Sequence, residues 1–171
     1  MDKTKKLALM AALTAIALIV FIIETQIPLP IPIPGAKLGL ANTVTLFALF
    51  FKKKTKQVFT TADAFMILLC RIMLGAAFTG RFIALLYSIA GGFLSFAALV
   101  LMRRLVTDKQ IWACGVISAI FHNIGQILAA MAITRSPAIA AYLPMLTITG
   151  VATGIITGLV AQIILGRLRH E

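Results

Sequence analysis

Carboxylates are scarce in this chain: its 171 residues hold 5 Asp+Glu against 16 Lys+Arg and 2 His, a formal net charge of +11. The acidic side chains are scattered, so general acid–base or magnesium-dependent chemistry lacks paired carboxylates, and prenyl transfer lacks its aspartate-rich motifs. Charge of either sign is sparse. Only 12% of positions are charged while 61% are hydrophobic, and a mean hydropathy of +1.04 exceeds what a water-soluble domain of this length can bury in one core. The 2 cysteines, Cys70 and Cys114, form no C-x-x-C pair and have no His or carboxylate cluster at metal spacing. They read as small apolar packing residues, and no metal is expected. Phosphate-loop, dinucleotide and nucleophile-elbow motifs are lacking as well. Neither a cofactor nor catalytic residues are expected, and the chain is not read as an enzyme.

What is present is apolar length. A crossing helix of about 20 residues plus a connection allows about six crossings and leaves no room for a soluble domain. Charge-free runs cover 7–23, 38–51, 82–102, 110–134 (broken only by His122) and 136–166, and 58–78 is apolar apart from Asp63 and Arg71. Pro137 and Pro144 turn the start of the last run into a loop. The expected fold is all-α, a single integral membrane domain over 1–171. Its bundle of six transmembrane helices lies at about 7–24, 38–52, 58–78, 82–103, 110–133 and 143–166.

The basic residues set orientation. With the N-terminus inside, the inner connections hold Lys3, Lys5, Lys6, Lys52, Lys53, Lys54, Lys56, Arg103, Arg104, Lys109, Arg167 and Arg169, and the outer ones only Lys37, Arg81 and Arg135. Both termini are therefore expected in the cytoplasm, and the positive charge implies contact with membrane lipid rather than nucleic acid. The basic start before an apolar run could serve as a signal peptide, but Glu24 and prolines follow in place of a small-residue cleavage site, so the run is read as a retained helix.

Three features point toward function. The first is the segment 27–35, in which Pro28, Pro30, Pro32 and Pro34 alternate with Ile and Leu before Gly35. Such a segment is extended rather than helical. The following run, 38–51, is 14 residues, about 21 Å as a helix against a roughly 30 Å hydrocarbon core. Either the proline segment dips into the outer half of the protein, where non-helical backbone is tolerated against protein or a cavity, or it lies on the headgroups as a rigid loop.

The second feature is polarity at depth, which is costly in a membrane and usually faces a cavity or a partner. Lys37, Asn42, Arg71, Arg81, Asn123 and Gln126 all fall in the expected outer half, with Glu24 as the only carboxylate there. Such donors suit an anionic or strongly hydrogen-bonding ligand. The competing reading is internal satisfaction, with Arg71 paired to Glu24 and the amides joining helices. His122 is read as internally satisfied. Small-residue stripes are the third feature: Ala8-x-x-x-Ala12 and Ala11-x-x-x-Ala15 in the first run, and Gly150-x-x-x-Gly154-x-x-x-Gly158 in the last. They permit close helix approach, within the bundle for the glycines and within it or to a partner protein for the alanines.

The stretch Pro32-Ile-Pro-Gly35-Ala-Lys37-Leu-Gly39-Leu-Ala-Asn42, following a short alanine-rich helix, resembles the bacterial membrane proteins called heptaprenyl diphosphate synthase component I, or the Gx transporter family. These are similar to the substrate-binding S components of energy-coupling-factor (ECF) vitamin transporters. The resemblance implies a six-helix bundle in the bacterial cell membrane that captures a small micronutrient or precursor from outside. It also implies docking on a transmembrane coupling protein that carries ATPase subunits. In S components an alanine motif on the first helix makes that contact, which maps onto Ala8 and Ala12 with Ala11 and Ala15 as the neighbouring register. The loop between the first two helices gates the site, which maps onto Pro28, Pro30, Pro32, Pro34 and Gly35. The competing expectation is a non-catalytic membrane accessory of polyprenyl diphosphate synthesis.

Overall fold

A computed structural model describes residues 2–27, 38–53, 56–80 and 82–168. Among them are six α-helices: α1 (Lys3–Glu24), α2 (Asn42–Phe50), α3 (Thr61–Thr79), α4 (Phe82–Met102), α5 (Ile111–Thr134) and α6 (Leu143–Leu168). Between α2 and α3 the two-residue strands β1 (Lys52–Lys53) and β2 (Lys56–Gln57) pair antiparallel. Helices α1, α3 and α4, and α5 and α6 with the short 3-10 turns leading into them, are long and apolar enough to cross a membrane.

Local chemistry sets several of the helix ends. At the start of α3 the Thr60 hydroxyl accepts from the Asp63 amide at 3.2 Å and the Asp63 carboxylate accepts from the Thr60 amide at 2.6 Å, a reciprocal cap. Gly80 closes α3 in the left-handed region at φ 63°. Arg135 ends α5 in the same region at φ 53°, and Pro137, lacking an amide hydrogen, begins the turn into α6.

The stretch 38–52, expected as a second crossing, contains a helix of only 9 residues, about 14 Å long and too short to cross alone. Nearly all of α2 is nevertheless buried, Leu46, Ala48 and Leu49 completely. Connectivity explains its role. Lys6 pairs with Asp63 at 2.5 Å, while Phe21 fills the space beside Gly75, so α1 and α3 run parallel and start at the same end. The chain must therefore return across the bundle between Glu24 and Thr61, and α2 makes only the last part of that return. Segment 28–37, with all four alternating prolines, lies outside the described residues.

Among the described residues most of the basic side chains, Arg71 and Arg135 excepted, belong to the end where α1 and α3 begin. Lys52 meets Asp108 at 3.4 Å, and the Trp112 amide donates to Gln162 Oε1 at 3.1 Å. The strand pair, the start of α5 and the end of α6 thus share that end with Lys6 and Asp63. At the centre of the bundle, α5 packs against both α4 and α6. Glycine makes the approach possible: a Cβ added at Gly115 would sit 2.5 Å from the Gly154 carbonyl oxygen, and one at Gly125 2.5 Å from that of Ala90. The Gly150, Gly154 and Gly158 stripe is an internal contact face with α5.

Candidate functional site

Depth within the bundle is measured along α3. Arg71 lies 10 residues beyond Thr61, about 15 Å from the basic end, and only 3% of its surface is exposed. Its Nη2 donates to Asn42 Oδ1 at 2.8 Å, and its guanidinium carbon stands 5.8 Å from the centroid of the Phe21 ring, within cation–π range. Glu24, also buried, attracts it electrostatically. The Glu24 carboxylate in turn accepts from the Gly39 amide and, at 3.5 Å, from the Ala41 amide. One buried cation and one buried anion thus share the site, each held by further hydrogen bonds as burial of charge demands.

Asn42 connects this pair to α5. Arginine can only donate, so Asn42 Oδ1 must be the acceptor and its Nδ2 must face the other way. Nδ2 lies 2.9 Å from His122 Nδ1 and 3.4 Å from Ser95 Oγ. Because Nδ2 donates, His122 Nδ1 accepts, so the imidazole in this network is neutral and carries its proton on Nε2. Ser95 Oγ and Ser118 Oγ lie 2.6 Å apart and extend the network between α4 and α5. Glycine seats the imidazole: a Cβ at Gly39, whose φ is +82°, would stand 2.9 Å from His122 Cδ2, and a Cβ at Gly91 2.8 Å from Cε1 and Nδ1. The Gly39 of the Pro-Gly-x-Lys-x-Gly-Leu-Ala-Asn stretch thus serves both the turn into α2 and the histidine.

The structure brings Asn42 and Arg71 into direct contact. Asn123, fully buried, uses its Nδ2 to bond the Leu146 carbonyl at 2.5 Å and so ties α5 to α6. Gln126 is buried one turn beyond His122 on the same face. Lys37, Arg81 and the gating residues Pro28, Pro30, Pro32, Pro34 and Gly35 lie outside the described residues. Sequence reasoning set His122 aside and did not count Ser95 or Ser118. For the two on α5 a signal was present: Ser118, His122 and Gln126 recur every fourth residue and define one polar face of an otherwise apolar helix.

Two atoms of this core have no hydrogen-bond partner among the described residues, Arg71 Nε and Asn123 Oδ1. Buried polar atoms are almost always satisfied, so these mark positions where a bound group would find a donor and an acceptor. Among the described residues no group of three His, Cys, Asp or Glu side chains comes together. The arrangement can bind and orient a polar group. On α1, Ala8, Ala11, Ala12 and Ala15 are all exposed, on the face opposite Leu13, Ala17 and Phe21.

Comparison with curated proteins and with solved structures found no match. A family model, heptaprenyl diphosphate synthase component I, matches residues 13–164. That match takes in the return segment, the polar network, helices α2 to α5 and most of α1 and α6, and the chain belongs to the heptaprenyl diphosphate synthase component I family.

Proposed function

We propose that this chain is the substrate-binding membrane subunit of an energy-coupling-factor type importer, without chemistry of its own. The observation that carries the reading is the Arg71–Asn42–His122 network, a hydrogen-bonding core at mid-depth in which the Arg71 Nε donor has no partner among the described residues. Polar groups at such depth in a membrane protein are costly and serve ligand or ion passage more often than packing. Lys37, Arg81, Asn123 and Gln126 complete the proposed substrate site, which would take a small anionic or amide-rich molecule, such as a vitamin, a flavin or a quinone or isoprenoid precursor.

Segment 28–35 is assigned as the gate. Its two flanks are tied together by the bond from the Gly39 amide to the Glu24 carboxylate, so opening the gate would release the carboxylate that balances Arg71. The termini and the basic end are assigned to the cytoplasm of a bacterial plasma membrane. The alanine face of α1, turned away from the bundle, is assigned to the coupling protein, because small residues let a partner helix approach closely.

The family's name favours a second reading, a non-catalytic membrane accessory of heptaprenyl diphosphate synthesis. Affinity purification of the tagged chain from its native membrane separates the two. The importer reading expects a coupling protein and ATPase subunits to co-purify, and to be lost when Ala8 and Ala12 are both replaced by leucine. Recovery of an aspartate-rich prenyl synthase instead, with activity that depends on this chain, would establish the accessory reading.

A further inference from the structure

Thr43 is the second residue of α2, and its hydroxyl is buried with no hydrogen-bond partner among the described residues. Its place in the helix explains why. A threonine inside a helix gives its proton to a carbonyl three or four residues back, as Thr147, Thr149, Thr153 and Thr157 of α6 do at 2.8–3.2 Å. Gly39, four residues before Thr43, is in the left-handed region at φ 82°, off the helical path, and its carbonyl accepts from the Asn42 amide at 3.0 Å instead.

The same residue lines a cavity of about 10 Å³ between α2, α5 and α6, room for about one water molecule. Five polar side chains form part of its wall, Asn42, Thr43, Ser118, Thr153 and Thr157, and no acidic one does. They differ in what they can still offer. Thr157 has given its proton to the Thr153 carbonyl at 2.9 Å, and Thr153 its own to the Thr149 carbonyl at 3.0 Å, so both hydroxyls can only accept. Thr43 keeps its proton and its lone pairs, yet no direct bond joins it to either. Water supplies the complementary set, accepting from Thr43 and donating to Thr157. A cation does not suit the site, because it has no carboxylate and the charged group bonded to Asn42 is the Arg71 guanidinium.

We propose that this cavity is a hydration site, in which one ordered water bridges Thr43 and Thr157 and ties the start of α2 to α6. Asn42, the residue before, already ties the same turn to α3 through Arg71 and to α5 through His122. The water adds α6 to that set. A helix of 9 residues is thereby held by polar links on three sides, and it cannot slide along α6 without giving up the water's bonds. Leu38, Gly39 and Leu40 also line the cavity, so the water lies beneath the stretch that leads into α2. The site does not depend on what the polar network binds, and it holds for either reading of the function.

Crystallography of the intact chain in a lipidic mesophase, at a resolution that shows single waters, tests the site directly. One water is expected within hydrogen-bond distance of both Thr43 Oγ1 and Thr157 Oγ1. An empty cavity, a cation in it, or a Thr43 hydroxyl rotated onto the Gly39 carbonyl would overturn the proposal. Thermal unfolding of detergent-solubilised variants adds a test that turns on sign. If the water is there, Thr43→Val removes one of its bonds and should lower Tm by about 2–4 °C. If the hydroxyl is unsatisfied, the same isosteric change relieves a buried polar group and leaves Tm unchanged or raises it. Thr157→Val should also lower Tm, and because both variants act on one water, their double variant should lose less than the sum of the two single losses. An unchanged or raised Tm for Thr43→Val, or two losses that add in full, would count against the bridge as decisively as an empty cavity.

Discussion

Helices α5 and α1 are both apolar and long enough to span a membrane, yet they are built for opposite purposes. Helix α5 is gripped from two sides, by α4 across Gly125 and by α6 across Gly115, and it carries Ser118, His122, Asn123 and Gln126 into the interior. Helix α1 turns only Leu13, Ala17, Phe21 and Glu24 inward and leaves Leu7, Ile16, Ile19 and Ile23 exposed along with its alanine stripe. In water such exposure would be costly; against lipid tails it is free. A membrane protein can therefore keep one helix loosely attached and available to a partner while its neighbours fix a polar site by close packing.

That contrast can be broken in steps of decreasing size. Arg71→Met should have the largest effect, about 3–5 kcal/mol, because it strands Glu24 as a buried charge without its cation and leaves Asn42 Oδ1 without its donor. Adding Glu24→Gln should recover part of the loss in thermal unfolding of the detergent-solubilised protein; no recovery would mean that the two charges are not coupled. Gly115→Leu should follow, at about 3 kcal/mol, since the Cβ would meet α6 backbone at 2.5 Å and backbone cannot swing aside. Asn42→Leu should cost about 2 kcal/mol, by leaving Arg71 and His122 without their shared partner. Smallest should be Ala8→Leu with Ala12→Leu, within about 0.5 kcal/mol in stability. A loss of several kcal/mol there would show that α1 is packed like α5 and is not free for a partner.

Much of the scaffold was legible in the sequence because apolar length and proline position act locally. The runs that became α1, α4 and α6 are plain to read, and Pro137 marks the turn before α6 for the reason that proline always does. What stayed hidden depends on packing between distant segments. Nothing in the run 38–52 announces that α2 begins only at Asn42, because the constraint is the seating of Gly39 beside His122, 83 positions away. The polar residues at depth were visible one by one, but their linkage was not. That Asn42 joins Arg71 to His122 follows from three helices meeting, and it turns a histidine set aside as structural into a central member of the network.

The account centres on that network as a ligand site, and native mass spectrometry of the chain released from mild detergent tests it most directly, comparing the wild type with Asn42→Leu at matched helicity. A small molecule bound one-to-one to the wild type and absent from the variant is the predicted result. An identical bound mass on both proteins, or none on either, would contradict it and leave the buried polar core as a device for holding helices together.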